Sequence, residues 1–187
     1  EALESIGNRP IAIRTLDLGA DKFFKTQAVL GEADTVLMHE RNPMLGCRAI
    51  RYCLQNPELL RQQVRAIVRA SALGSVKLMV PMVSCREEVL QVRQVVSAVQ
   101  EQLAEDDVPF DADMPVGIMV EVPSVALTIE SFCDICDFFS IGTNDLTQYV
   151  VAADRTNEHV ADFYQPAHPA VLKLVKQVIA AGQSRNI

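Results

Sequence analysis

Ser140-Ile141-Gly142-Thr143-Asn144-Asp145-Leu146-Thr147-Gln148-Tyr149 puts a carboxamide, a carboxylate and several backbone N–H groups within a few residues of one another. The apolar pair Phe138-Phe139 just before it reads as a buried strand, so these groups stand where a strand opens into a mouth of the fold. Arg155 follows ten residues beyond Asp145. Together they suit a divalent cation and an anion bound side by side. Glu121 is a second carboxylate, directly after the apolar run Val116-Gly117-Ile118-Met119-Val120. A carboxylate in such a place is costly to desolvate unless a positive partner meets it. That partner is either an arginine or a metal ion shared with Asp145, which is expected to end the next strand. Neighbouring strands lie about 4.8 Å apart, so both carboxylates can reach one ion. Hard oxygen ligands favour Mg2+ or Mn2+ over zinc.

Three arginines stand near the same strand ends. Arg14 closes Ile11-Ala12-Ile13, and its guanidinium is expected inside the strand mouth. Arg48 lies in Arg41-Asn42-Pro43-Met44-Leu45-Gly46-Cys47-Arg48-Ala49-Ile50-Arg51, where Asn-Pro and Gly mark a turn running into a helix. With Arg155 they would bind a trianionic substrate bidentately. Arg51, Arg61, Arg65 and Arg93 read instead as surface ion pairs, and Arg69, ending a helix, fits either reading. His39, His159 and His168 lack a nucleophile-and-base context. Ser124 and Thr143 lack a nucleophile elbow and read as turn residues. Cys133 and Cys136 have CxxC spacing, but a zinc site needs about four ligands and no second pair follows. They read as half-buried small residues.

These groups need a scaffold, and its periods alternate. Residues 10–17, 76–80, 116–120 and 138–141 are short apolar strands. Near-continuous apolar strands are typical of a parallel sheet covered on both faces. A helix from Pro57 carries Leu60, Val64, Ile67 and Val68. A second opens on a Ser84/Glu87 capping box and carries Val89, Val92, Val96 and Val99. A third, from Pro169, carries Val171, Leu174, Val175, Val178 and Ile179, while residues 103–114 read as an exposed loop. The class is α/β. Arg14, Asp17, Glu121, Asn144 and Asp145 all fall at carboxyl ends of strands, where a (β/α)8 barrel or an open sheet holds its site. No Gly-rich nucleotide fingerprint opens a helix, and a barrel needs roughly 250 residues against 187 here, so part of a barrel is expected.

The net charge of −7 argues against nonspecific binding to nucleic acid or anionic lipid, yet allows a local positive pocket. No apolar run approaches the roughly 20 residues of a membrane span, so no membrane insertion is expected. No export signal is visible, and five cysteines without framework spacing read as reduced thiols in a cytoplasmic protein.

The sequence resembles the C-terminal, phosphoenolpyruvate-binding domain of Enzyme I of the bacterial sugar phosphotransferase system. The resemblance rests on Arg14-Thr15-Leu16-Asp17-Leu18-Gly19-Ala20-Asp21-Lys22, the Asn42–Arg51 motif, Gly117-Ile118-Met119-Val120-Glu121-Val122-Pro123, residues 138–155, and Tyr164-Gln165-Pro166. It implies a TIM-type (β/α)8 barrel, incomplete at the C-terminal side, over residues 1–187. It implies Mg2+ held by Glu121 and Asp145, phosphoryl contacts from Arg14 and Arg48, phosphate and carboxylate contacts from Arg155, and a substrate contact from Asn144. The activity implied is phosphoenolpyruvate-protein phosphotransferase: phosphoryl passes from phosphoenolpyruvate to a histidine on a separate N-terminal domain, then to the carrier protein HPr. A homodimer is implied as well. The family's proton donor, in a Cys-Gly-Glu motif, is expected beyond Ile187, so the isolated chain is not expected to turn over. Two rivals remain: a non-catalytic phosphoenolpyruvate-sensing or dimerisation module, and an enzyme of the pyruvate phosphate dikinase or phosphoenolpyruvate synthase type.

Overall fold

Four short apolar segments pair side by side as β1 (Ile11–Arg14), β2 (Val76–Val80), β3 (Val116–Val120) and β4 (Phe139–Ile141). The computed structural model describes residues 7, 9–17 and 41–187; residues 18–22 and His39 lie outside the described residues. All three pairings are parallel, and the strand order β1-β2-β3-β4 follows the chain without reversal. A doubly wound sheet reverses direction at its switch point; an arc of a barrel does not. The described sheet is therefore a four-stranded parallel half-barrel, which agrees with the expected part-barrel.

The helices occupy the crossovers. Between β1 and β2 lie α1 (Ile50–Gln55) and α2 (Pro57–Ser71), and between β2 and β3 lies α3 (Arg86–Glu105). After β3 come α4 (Pro123–Leu127) and a 3-10 turn, Ile129–Phe132; after β4 come α5 (Thr143–Val151), a second 3-10 turn, Glu158–Phe163, and α6 (Pro169–Arg185). Val76, Leu78 and Val80 are buried, whereas Lys77 and Met79 between them are half-buried. One sheet face is thus packed under helices and the other is more open, unlike the two equally covered faces expected from the apolar runs. Among the described residues, no helix is long and apolar enough to cross a membrane.

Local chemistry explains the element ends. Pro57 opens α2, whose Leu60, Val64, Ile67 and Val68 are buried as their spacing predicts. The box at the start of α3 is Cys85/Glu88, one residue later than the expected Ser84/Glu87. The Glu88 carboxylate accepts the backbone N–H of Ser84 at 2.6 Å and of Cys85 at 3.2 Å, while the Ser84 hydroxyl also donates to it. The helix then runs on to Glu105, past the expected loop start, because buried Leu103 continues the Val92, Val96, Val99 stripe. In α6, Ile179 is 47% exposed, against expectation. The buried stripe there is Val171, Leu174, Val178 and Ala181, which leaves Ile179 to one side. His168, given no role by sequence, caps α6: its Nδ1 accepts the Ala170 N–H at 3.2 Å.

Gly117 brings β3 and β4 together. A Cβ there would stand 2.3 Å from the Phe138 carbonyl oxygen and 2.6 Å from its ring. The space goes to that ring, over which Lys77 Nζ lies 5.3 Å from the centroid. Replacing Gly117 by Ala should lower unfolding free energy by at least about 2 kcal/mol, because backbone must move. Urea melts of the two forms check this; an unchanged midpoint would disprove the close packing.

Candidate functional site

Three strand ends and one turn deliver the polar residues. β1 leads through Arg14 to Asp17, β3 leads to Glu121, and β4 leads through Gly142 into α5. Asp145 does not end a strand, as expected from sequence, but lies in the first turn of α5. Gly142 caps that helix, so Thr143 and Asn144 are already helical, and a carboxylate near the N-terminus complements the helix dipole. Arg48 comes from the 41–48 turn. Its bend is closed by Arg51, which donates to the Leu45 and Gly46 carbonyls at 2.9 and 3.1 Å.

Five of these side chains form a line of alternating charge. Arg14 Nη1 lies 3.2 Å from Asp17 Oδ2. Arg48 donates to Asp17 through Nε at 3.1 Å and through Nη2 at 2.8 and 3.0 Å. Its Nη1 reaches Asp145 Oδ1 at 3.3 Å, and Arg155 Nη1 stands 3.6 Å from Asp145 Oδ2. The middle of the line is dry: Arg48 is 5% and Asp17 4% exposed, whereas Arg14 is 41% and Arg155 29% exposed. Burial opposes the Arg48 charge, but Asp17 and then Asp145 outweigh it and hold its pKa above the ordinary value.

Sequence reasoning assigned no site role to Asp17, Tyr149, Gln63 or Gln148. The Tyr149 hydroxyl accepts from Arg48 Nη1 at 3.4 Å and donates to the Met44 carbonyl. Gln63 of α2 accepts the Leu16 N–H at 2.7 Å, next to Asp17. Gln148 accepts the Arg155 N–H at 3.0 Å. For Asp17 the sequence did carry a signal, its place with Arg14 at the carboxyl end of the first strand. Arg48 also departs from expectation: with Nε and Nη2 committed to Asp17, it has only Nη1 to offer an anion. Asn144 is exposed, and its carbonyl accepts from the Tyr164 hydroxyl at 3.2 Å.

Glu121 is buried, 1% exposed, and among the described residues it has no ion pair. Its Oε1 accepts the Met82 N–H at 2.7 Å. Met82 holds that N–H in place with φ of 58°, a left-handed backbone that a non-glycine residue adopts only under constraint. Oε2 occupies the room left by Gly142, where a Cβ would come within 2.6 Å of it. Burial pushes the Glu121 pKa up to about 7. The Met82 N–H opposes this, Asp145 and Asp17 add to it, and Arg48 counters weakly. A buried carboxylate this short of positive charge suits a cation. Among the described residues no three His, Cys, Asp or Glu side chains are grouped to hold a metal ion. Two carboxylates nonetheless satisfy Mg2+, which keeps waters and substrate oxygens as its remaining ligands.

The other sequence readings sort cleanly. Arg61 pairs with Glu58, Arg65 with Asp106 and Arg93 with Asp137, while Arg51 serves backbone carbonyls instead. The Ser124 hydroxyl donates to the Ser84 carbonyl at 2.9 Å. Burial pushes the Cys136 thiol up to about 12 and raises Cys133 as well, so neither is a ready thiolate.

Arginines and carboxylates thus gather at the carboxyl edge of a parallel half-barrel in an α/β domain. The chain belongs to the family described as "PEP-utilising enzyme, PEP-binding domain", whose profile matches residues 1–187. It is 44% identical to phosphoenolpyruvate-protein phosphotransferases of Priestia megaterium and Haemophilus influenzae, over 98% and 100% of this chain and 31% of each relative. Multiphosphoryl transfer protein 2 of Escherichia coli K12 is 42% identical over 97% of this chain and 21% of its own length. The chain thus spans about a third of the length of the phosphotransferases it matches. A solved citrate lyase of Burkholderia xenovorans LB400 aligns with a TM-score of 0.50 at 19% identity, over 67% of this chain and 38% of the other, a likeness of fold.

The raised Glu121 value has a consequence for stability. Between the ordinary value of 4.5 and about 7, the folded chain keeps a proton that the unfolded chain has released. The contribution is full below about 4.5 and is lost as pH rises through about 7, on the order of 3 kcal/mol in all. In chelator, Glu121→Gln should therefore raise the melting temperature at pH 8 and change it little at pH 5. Equal shifts at both pH values, by calorimetry, would show that Glu121 is not held in this state.

Proposed function

We propose that this domain binds phosphoenolpyruvate with Mg2+ and supports phosphoryl transfer to a histidine of the intact protein, and from there to the phosphocarrier HPr. The observation that carries the reading is the convergence of Arg14, Arg48 and Arg155 with Glu121 and Asp145 at one strand edge. In the same reading residues 1–187 are part of a phosphoenolpyruvate-binding barrel. The accepting histidine and the proton donor to the enolate come from outside it, and the protein works as a cytoplasmic homodimer.

Phosphoryl transfer spreads charge over the equatorial oxygens of a loose transition state, so positioned cations do most of the work. Arg14 and Arg155, partly exposed, offer guanidinium N–H groups to the substrate's phosphoryl and carboxylate oxygens. Arg48 adds one nitrogen, Nη1, and the exposed Asn144 at the first turn of α5 adds a carboxamide. Glu121 and Asp145 would hold the metal, which when bound supplies Lewis-acid stabilisation of the phosphoryl oxygens and of the departing enolate. Among the described residues three guanidiniums here face three carboxylates, Asp17, Asp145 and Glu121, so these residues alone give little surplus charge for a trianion. That balance favours substrate and divalent cation entering together.

Two measurements test this on the intact protein. Calorimetric titration should show phosphoenolpyruvate binding that weakens at least about tenfold when Mg2+ is withheld; equal binding would remove the metal from the site. Arg155→Lys should lower kcat/KM for phosphoenolpyruvate at least about tenfold, or 1.4 kcal/mol, since lysine cannot span two oxygens. Unchanged kinetics would take Arg155 out of substrate contact.

A further inference from the structure

We propose that Asp17 is a positioning residue, holding Arg48 so that it presents a single guanidinium nitrogen to the phosphoryl group. The inference rests on the functional reading above and adds to it. Asp17 engages two of the three nitrogens of Arg48, Nε and Nη2, in contacts of 2.8, 3.0 and 3.1 Å, in a pair only 4–5% exposed. The two donors of Nη1 have longer contacts: Asp145 Oδ1 at 3.3 Å, the Tyr149 hydroxyl at 3.4 Å and Met44 Sδ at 3.7 Å. The tight side is the anchor and the loose side is the working edge. An anion oxygen arriving at Nη1 replaces weak contacts and leaves the strong ones intact.

Asp17 is itself secured from outside the site. Its neighbour Leu16 donates its N–H to Gln63 of α2, and Thr15 donates to the Met79 carbonyl at 3.0 Å. On the other side, Ala49 directly follows Arg48 with φ of 51° and ψ of −125°, a conformation a side-chain-bearing residue keeps only when its surroundings impose it. A buried ion pair is weak evidence of stabilisation, because desolvation offsets its attraction. What it does here is fix orientation. A donor aimed where charge develops accelerates transfer only if it does not have to reorganise at that moment.

The test uses the intact protein with Asp17→Asn, Arg48→Lys and the double variant. Asp17→Asn should lower kcat for phosphoenolpyruvate-dependent phosphorylation at least about tenfold. KM should stay level or fall, because the released Nε and Nη2 donors become free to grip ground-state substrate. Added to Arg48→Lys, the same change should cost less than about threefold more, since Asp17 acts through Arg48. A raised KM at unchanged kcat, or fully multiplicative losses, overturns the proposal. Gln63→Met, outside the ion pair, should give the same kcat-against-KM split at about threefold or more, and serves if Asp17→Asn does not fold; unchanged kcat there overturns the anchor. Nitrogen-15 spectra of substrate-free protein read the lock directly. The Arg48 Nε–H signal should be sharp and slowly exchanging in the parent and broadened in Asp17→Asn, and a signal unaffected by the substitution overturns the lock. Should the parent fail to use phosphoenolpyruvate, the functional reading falls while these spectra still decide the role of Asp17.

Discussion

A guanidinium buried between two carboxylates governs this site. Arg48 is out of water, and Asp17 and Asp145 flank its charge there and hold its pKa above the ordinary value. Each of those carboxylates is shared with a second, more exposed arginine. The alternation keeps like charges apart along the line and ties β1, the 41–48 turn and α5 into one electrostatic unit. Among the described residues Glu121 stands beside that unit without an arginine of its own, and burial raises its pKa.

The scaffold serves this arrangement by bringing successive strand ends to one edge. Parallel pairing with no reversal of order puts the ends of β1, β3 and β4 on the same side of the sheet. What the strands set coarsely, neighbouring amides set finely. Met82 offers its N–H to Glu121, Gln63 holds Leu16, and Gln148 holds Arg155. These contacts join groups 7 to 47 residues apart in the chain, so packing makes them and no local pattern announces them.

Much of the frame was legible before any coordinates. Val76–Val80 and Val116–Val120 are strands with the bounds their apolar runs suggest, and α2 buries the four residues its period selects. The misses have physical sources. Ser84 and Cys85 compete for one cap, and the backbone chose the residue whose partner three positions on is Glu88. Asp145 follows a glycine that ends the strand early, so it belongs to a helix. The commitment of Arg48 to Asp17 depends on a contact across 31 residues, which spacing alone cannot reveal. Sequence supplied the set of charged groups; folding decided which of them became partners.

Gly142 carries a last implication. Its φ of −83° and ψ of 77° are open to ordinary residues, so a substitution table built on backbone tolerance would rate the position as permissive. The true restriction is volume: a methyl group there would collide with the Glu121 carboxylate. Variant libraries that diversify this residue as a harmless loop position would instead evict the acid beside it, and damage reported at 142 would really be a displaced 121.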